Sequence, residues 1–98
     1  MGRYVFSNRA ETDLIGIYHY SVLNYTQRQA DSYTDSLKKA CQFLADNPGV
    51  CRKREEFTPP VRIHHHNRHL IIHTDTQNAI LIVRILHDRM AIEEHLTG

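Results

Sequence analysis

The hydrophobic positions of this chain change period along its length. From Arg9 to about Asn24, Leu14, Ile17, Tyr18 and Val22 recur at the three- and four-residue steps of a helix face. Glu11 and Asp13 fall in the first turn, where the helix dipole favours acids. Ser7 and Asn8 are both good N-caps, and Glu11 follows Asn8 by three residues, as in a capping box. A second helix is predicted over Gln27–Asp46, with the stripe Ala30, Tyr33, Leu37, Ala40 or Cys41, and Leu44. Thr26 and Gln29 repeat the capping-box pattern at its start, and Asn47-Pro48-Gly49 ends it. The short connection Asn24-Tyr25-Thr26 makes the two helices an antiparallel hairpin.

Elsewhere the pattern is that of strands. Tyr4-Val5-Phe6 is a short first strand suited to a sheet edge. Val61–His66 and His69–Thr74 are two further strands with a turn near Asn67-Arg68, and Asp75–Asn78 is the next turn. The run Ile80–Arg89 follows. Six of its first seven residues are aliphatic, Arg84 being the exception, which predicts a strand buried on both faces in the middle of the sheet. The charged, proline-ended stretch Val50–Pro60 is a surface loop, and Met90–Leu96 has the length of one or two helical turns. The order is β-α-α-β-β-β, an α+β fold with the helical hairpin on one face of a small, mainly antiparallel sheet. The first strand is expected to pair with the free edge of the central run.

Composition narrows the class. Ninety-eight residues make one domain, 1–98, and 41% hydrophobic with 23% charged residues excludes disorder as the default. Twelve Lys and Arg against eleven Asp and Glu leave a formal net charge of +1, so no general nucleic-acid field exists and direct nucleic-acid binding is not expected. No apolar run approaches a membrane span and no signal-type apolar segment opens the chain, which predicts a cytoplasmic protein. There Cys41, on the apolar stripe, and Cys51 are expected to be free thiols.

Four stretches carry a resemblance. They are Phe6-Ser-x-x-Ala10-Glu11-x-Asp13-Leu14-x-x-Ile17-x-x-Tyr20, Gln29-Ala30-x-x-Tyr33, Leu44-Ala45-Asp46-Asn47-Pro48 and Ile82-Val83-Arg84-Ile85-Leu86-His87-Asp88-Arg89-Met90. Over nearly its whole length the chain resembles the ParE-type toxins of the RelE/ParE toxin–antitoxin superfamily. The final stretch is the most specific, since such chains typically end their last strand in a Leu-His-x-Arg pattern. Two departures stand out: Ala91 replaces a usual Asp, and His64-His65-His66 replaces a less basic segment. The resemblance implies a non-enzymatic toxin of a type II system that traps DNA gyrase on cleaved DNA. It also implies a ParD-like antitoxin that binds through a segment ordered on contact, in a hetero-oligomer. Two alternatives are a ribosome-dependent mRNA interferase of RelE type and a non-toxic, degenerate member that only binds antitoxin.

Residue roles follow from these readings. Tyr4, Phe6, Leu14, Ile17, Tyr18, Arg68 and Arg84 are the candidate antitoxin contacts, and His87, Arg89, Met90 and Ile92 the candidate gyrase contacts. RNA cleavage needs a base, an acid and cations at the phosphorane; His87, Arg62, Arg84 and Arg89 are the residues for it, with no catalytic residue expected otherwise. Arg84 has a structural alternative, pairing with Asp13 or Glu11. His64, His66, His69 and His73 raise a metal site, but no Cys or carboxylate accompanies them, and neither metal nor cofactor is expected. The alternation of Val61, Ile63 and His65 with Arg62, His64 and His66 predicts that the second set forms a solvated polar face.

Overall fold

The computed structural model describes residues 2–90 and 92–96. Its elements are β1 (Tyr4–Phe6), α1 (Asn8–Asn24), α2 (Gln27–Asp46), β2 (Arg62–His66), β3 (His69–Asp75), β4 (Ile80–His87) and α3 (Ile92–Leu96). The sheet order is β1-β4-β3-β2, with β1 parallel to β4 and the other pairs antiparallel. The aliphatic run is therefore internal, as its composition predicts. The strand ends at His87, two residues before the predicted Arg89, and α3 covers Ile92–Leu96.

α1 begins one residue earlier than expected, and its cap is Ser7. The Ser7 Oγ accepts the Ala10 N–H at 3.0 Å and donates to the Val83 carbonyl at 2.7 Å. Because Ala10 then stands at the third helical position, where a capping box needs Glu or Gln, the Asn8–Glu11 box does not form. The Thr26–Gln29 box does form at the start of α2.

The helix-facing core gathers Leu37, Cys41 and Leu44 of α2 with Ile71, Ile80, Ile82 and Ile85 of the sheet. A second cluster on the opposite face joins Val61, Ile72 and Leu86, covered by Phe57 of the 50–60 loop and by Ile92 and Leu96 of α3. A bulge lets β4 serve both. Ile72 pairs with Arg84 but His73 with Ile82, so Val83 is an extra residue and the inward alternation resumes at Ile85. Burial of Cys41 in the first cluster pushes its thiol up to about 12, which makes it inert.

One predicted face is corrected. Arg62, His64 and His66 do not form a solvated face: all three are half-buried, His64 and His66 against α2 and Arg62 against the 50–60 loop and the end of β3. Ser36 Oγ is 2.9 Å from His66 Nε2, the Phe43 and His64 rings are 6.4 Å apart, and Arg62 bonds the Cys51 carbonyl and Asp75. Only His65, on the alternate side, is exposed. The cause is the pairing of β2 with β3, which turns its even-numbered residues to the helix side along with Ile71 and His73.

Candidate functional site

At its tip, where α1 gives way to α2, the helical hairpin overhangs the ends of β3 and β4. The space beneath it is an open groove of about 1090 Å³. Thr12, Gly16 and Tyr20, spaced by four residues, form its α1 wall. Tyr25, Gln29 and Tyr33 continue it around the hairpin turn, and Asn67, Arg68, His87, Arg89 and Met90 stand opposite. Ile17, Ser21 and Ile85 provide a largely buried floor.

Histidines and a tyrosine organise the sheet side. His69 and His87 are register partners on β3 and β4, with rings 5.5 Å apart and nearly perpendicular. The Tyr33 hydroxyl lies 2.6 Å from His69 Nδ1. Burial, reinforced by the nearby His87, lowers the His69 pKa to about 4, so at neutral pH the ring is uncharged. Burial raises the Tyr33 pKa as well. His87 Nδ1 accepts the Arg89 N–H at 3.2 Å, and Asp88 stands between His87 and His65, at 3.3 and 3.4 Å. Among the described residues neither Arg68 nor Arg89 forms an ion pair, and both are exposed at the rim.

The groove unites residues that the sequence reading assigns to different partners. Ile17 and Arg68, candidates for the antitoxin, share it with His87, Arg89 and Met90, candidates for gyrase. Other candidates lie elsewhere. Tyr4 and Phe6 stack edge to face at 5.4 Å, and both pack with Leu14 against the helix-facing core. Tyr18 donates to Asp31 at 2.8 Å across the hairpin. Ile92 packs into the opposite sheet face.

Arg84 takes the structural alternative within this chain. Its Nε and Nη2 donate to the Asp13 carboxylate at 2.7 and 3.0 Å, and its Nη1 to the His95 carbonyl at 3.2 Å. Asp13 also accepts the Ile85 N–H at 3.0 Å. At 14% and 15% side-chain exposure the two ions form a nearly enclosed pair joining α1, β4 and α3. The Asp13 hydrogen bond raises the Arg84 pKa further.

The four residues put forward for RNA cleavage do not converge. Arg62 opposes His73, four residues along β3 from the His69–His87 pair, roughly 13 Å away by strand rise. Arg84 is committed to Asp13, which leaves His87 and Arg89 in the groove. Among the described residues no three of His, Cys, Asp and Glu come together as metal ligands.

Sequence reasoning missed His69, Tyr25 and Gly16 as groove residues. His69 and Tyr25 carry no local signal, because the register and the hairpin tip place them. Gly16 does carry one: a glycine interrupting a helical pattern needs a reason.

A profile of the family described as the ParE toxin of the type II toxin–antitoxin system parDE matches residues 4–92. The chain belongs to the ParE toxin family. Toxin ParE1 of Mycobacterium tuberculosis, from strains CDC 1551 / Oshkosh and ATCC 25618 / H37Rv alike, is 30% identical over 95 residues. That alignment covers 96% of this chain and 97% of the relative. A solved structure of the chromosomal ParDE TA system from P. aeruginosa shares the fold, with a TM-score of 0.74 at 21% identity, covering 89% of this chain and 96% of that one. In this ParE family member the groove is thus set on the α+β scaffold that the resemblance predicts. Among the described residues no helix is long and apolar enough to cross a membrane.

Proposed function

We propose that this ParE family member inhibits DNA gyrase in the cytoplasm by trapping the cleaved-DNA complex, and that a ParD-like antitoxin silences it by binding. The observation that carries this reading is the family match across residues 4–92. The toxin acts here as a binding protein, without catalysis, metal or cofactor. The dispersal of Arg62 and Arg84 away from His87 supports that, since a phosphodiester in the groove would meet neither guanidinium.

One observation favours a second reading. His69 and His87 adjoin on the groove wall, each with an arginine nearby, Arg68 and Arg89. Two imidazoles and two cations could supply the base, the acid and the charge stabilisation that RNA cleavage needs.

A supercoiling assay with purified gyrase decides between them. The expected result is loss of supercoiling with accumulation of cleaved DNA, reversed by the antitoxin. Intact gyrase activity together with mRNA cleavage on ribosomes, abolished by His87→Ala, establishes the second reading instead. Silence in both assays leaves a non-toxic member that only binds antitoxin.

A further inference from the structure

α1 buries Ala10, Leu14 and Ile17 in the helix-facing core, and the far side of such a helix is ordinarily charged. Here it is not. Ile15, His19, Val22 and Leu23 make a second stripe at helical spacing on the exposed side, with Ile15 exposed by 57% and Leu23 by 84%. Between Asp13 and Arg28 the chain holds no Asp, Glu, Lys or Arg, although 23% of all its residues are charged. A helix that is apolar on both sides is ordinarily covered on both.

We propose that a second copy of this chain covers the outer stripe, the two α1 helices packing antiparallel about a two-fold axis near His19. Three features select that occupant. The first is area. Ile15, Val22 and Leu23 leave roughly 300 Å² of apolar surface open, and Tyr20 and Tyr25 at its flank about as much again. Each partner in a stable interface gives up roughly 800 Å², so the stripe and its polar rim come close to a full interface. The second is charge. Glu11 stands on one side of His19 and Arg28, at the hairpin tip, on the other; both are exposed, and neither has an ion partner among the described residues. An antiparallel copy brings each Glu11 toward the other's Arg28, which makes the surface self-complementary. The third is shape. Gly16 costs helix stability without needing a positive φ, and a Cβ on it would meet nothing within 4 Å. A second helix can approach closely there.

Other occupants fit less well. A nucleic-acid strand or an anionic membrane surface needs cations along the contact, and this stripe has none. The inference is independent of the gyrase and antitoxin readings, which name none of these four residues.

The test is sedimentation velocity of the full chain alone over a range of concentrations. The wild type is expected to dimerise with a Kd of about 10 µM. Ile15→Glu combined with Leu23→Glu is expected to weaken the dimer by about 100-fold or more. Phe43→Glu and Val50→Glu, which charge apolar residues exposed elsewhere, should leave it unchanged. Glu11→Arg or Arg28→Glu alone should weaken it about 5-fold, and the two together should restore it. Circular dichroism checks each fold, and all these positions are exposed. A wild type that stays monomeric up to about 1 mM overturns the proposal. A dimer that survives the Ile15 and Leu23 changes, or is lost with Phe43→Glu, overturns it by moving the interface off α1. Charge reversals that add instead of cancelling overturn the antiparallel arrangement. A monomer that floats with phosphatidylcholine vesicles, and is released by the Ile15 and Leu23 changes, overturns it in favour of a lipid surface.

Discussion

The two ends of the interface between hairpin and sheet differ in what they leave open. At the end of α2, chain meets chain directly. The Gly2 amide donates to Asp46 at 2.9 Å, Gln42 donates to the Gly2 carbonyl at 3.0 Å, and a Cβ on Gly2 would overlap the carbonyl group of Ala45. Leu44 and Ala45 are buried beside it. At the hairpin tip, Tyr20, Leu23 and Tyr25 are exposed by 63, 84 and 62%, and along the groove wall, midway through α1, a Cβ on Gly16 would meet nothing within 4 Å. The same two helices therefore complete the core at one end and leave it uncovered at the other. The closed end holds the stability of the domain, and the open end holds surface available to partners.

The largest test of that division removes side chains from each end. Leu44→Ala takes a fully buried residue from the closed end and is expected to cost about 3–4 kcal/mol in urea denaturation. Tyr20→Ala at the open end should stay within about 0.5 kcal/mol of wild type. Comparable losses at both ends would show the tip to be part of the core after all.

Asp13 sits where the two ends meet, and its effect should be nearly as large. Asp13→Ala strands the Arg84 guanidinium and the Ile85 N–H together, at an expected cost of about 3 kcal/mol. Arg84→Met in the same background should recover a good part of it, because the unpaired charge is then gone. A double-mutant cycle showing no coupling would remove the ion pair from the account.

Acid distinguishes the ends in a smaller and separate way. His73, fully buried on the helix-facing side, has no hydrogen-bond partner for either ring nitrogen among the described residues. Burial holds its pKa down to about 4, with Asp75 opposing that shift and Arg62 and His64 adding to it. The unfolded chain takes up this proton near pH 6.5 and the folded one only near 4. The stability contributed is therefore complete above about pH 6.5 and declines as pH falls from there toward 4. His73→Leu should make that decline shallower, by about 2 kcal/mol at pH 4.5. An unchanged slope would assign the acid sensitivity to His69, which titrates in the same window.

What the chain disclosed in advance divides along similar lines. The helices, their capping at Thr26, the strand order and the family were legible because each rests on local periodicity or on short motifs such as Ile82–Met90. The groove was legible only in pieces. Ile17, Arg68, His87, Arg89 and Met90 were all named, yet nothing in their spacing says that one concavity gathers them. That depends on the overhang of the hairpin and on the His69–His87 register. The β4 bulge was invisible for a related reason: in a run of Ile, Leu and Val an extra residue leaves no polar mark. The face of β2 was misjudged for a separate reason: its pairing with β3 decides which side meets the helix-facing core, and Arg62, His64 and His66 carry no local mark of that pairing.

The smallest expected effects make the sharpest comparison, because the same substitution should change sign between the two ends. Gly2→Ala places a methyl group against the Ala45 carbonyl, and the chain must shift away from α2 to accept it. Loosening the two hydrogen bonds around Gly2 is expected to cost about 1 kcal/mol. Gly16→Ala introduces the same methyl group into open space on a helix, where it restricts the unfolded chain and favours the helical one, for a gain of about 0.5–1 kcal/mol. Thermal denaturation of the two variants side by side should therefore bracket the wild type. If both stabilise, the terminus yields freely and the closed end is looser than its contacts imply. If both destabilise, the space beside Gly16 is filled in solution, and the open end is not open.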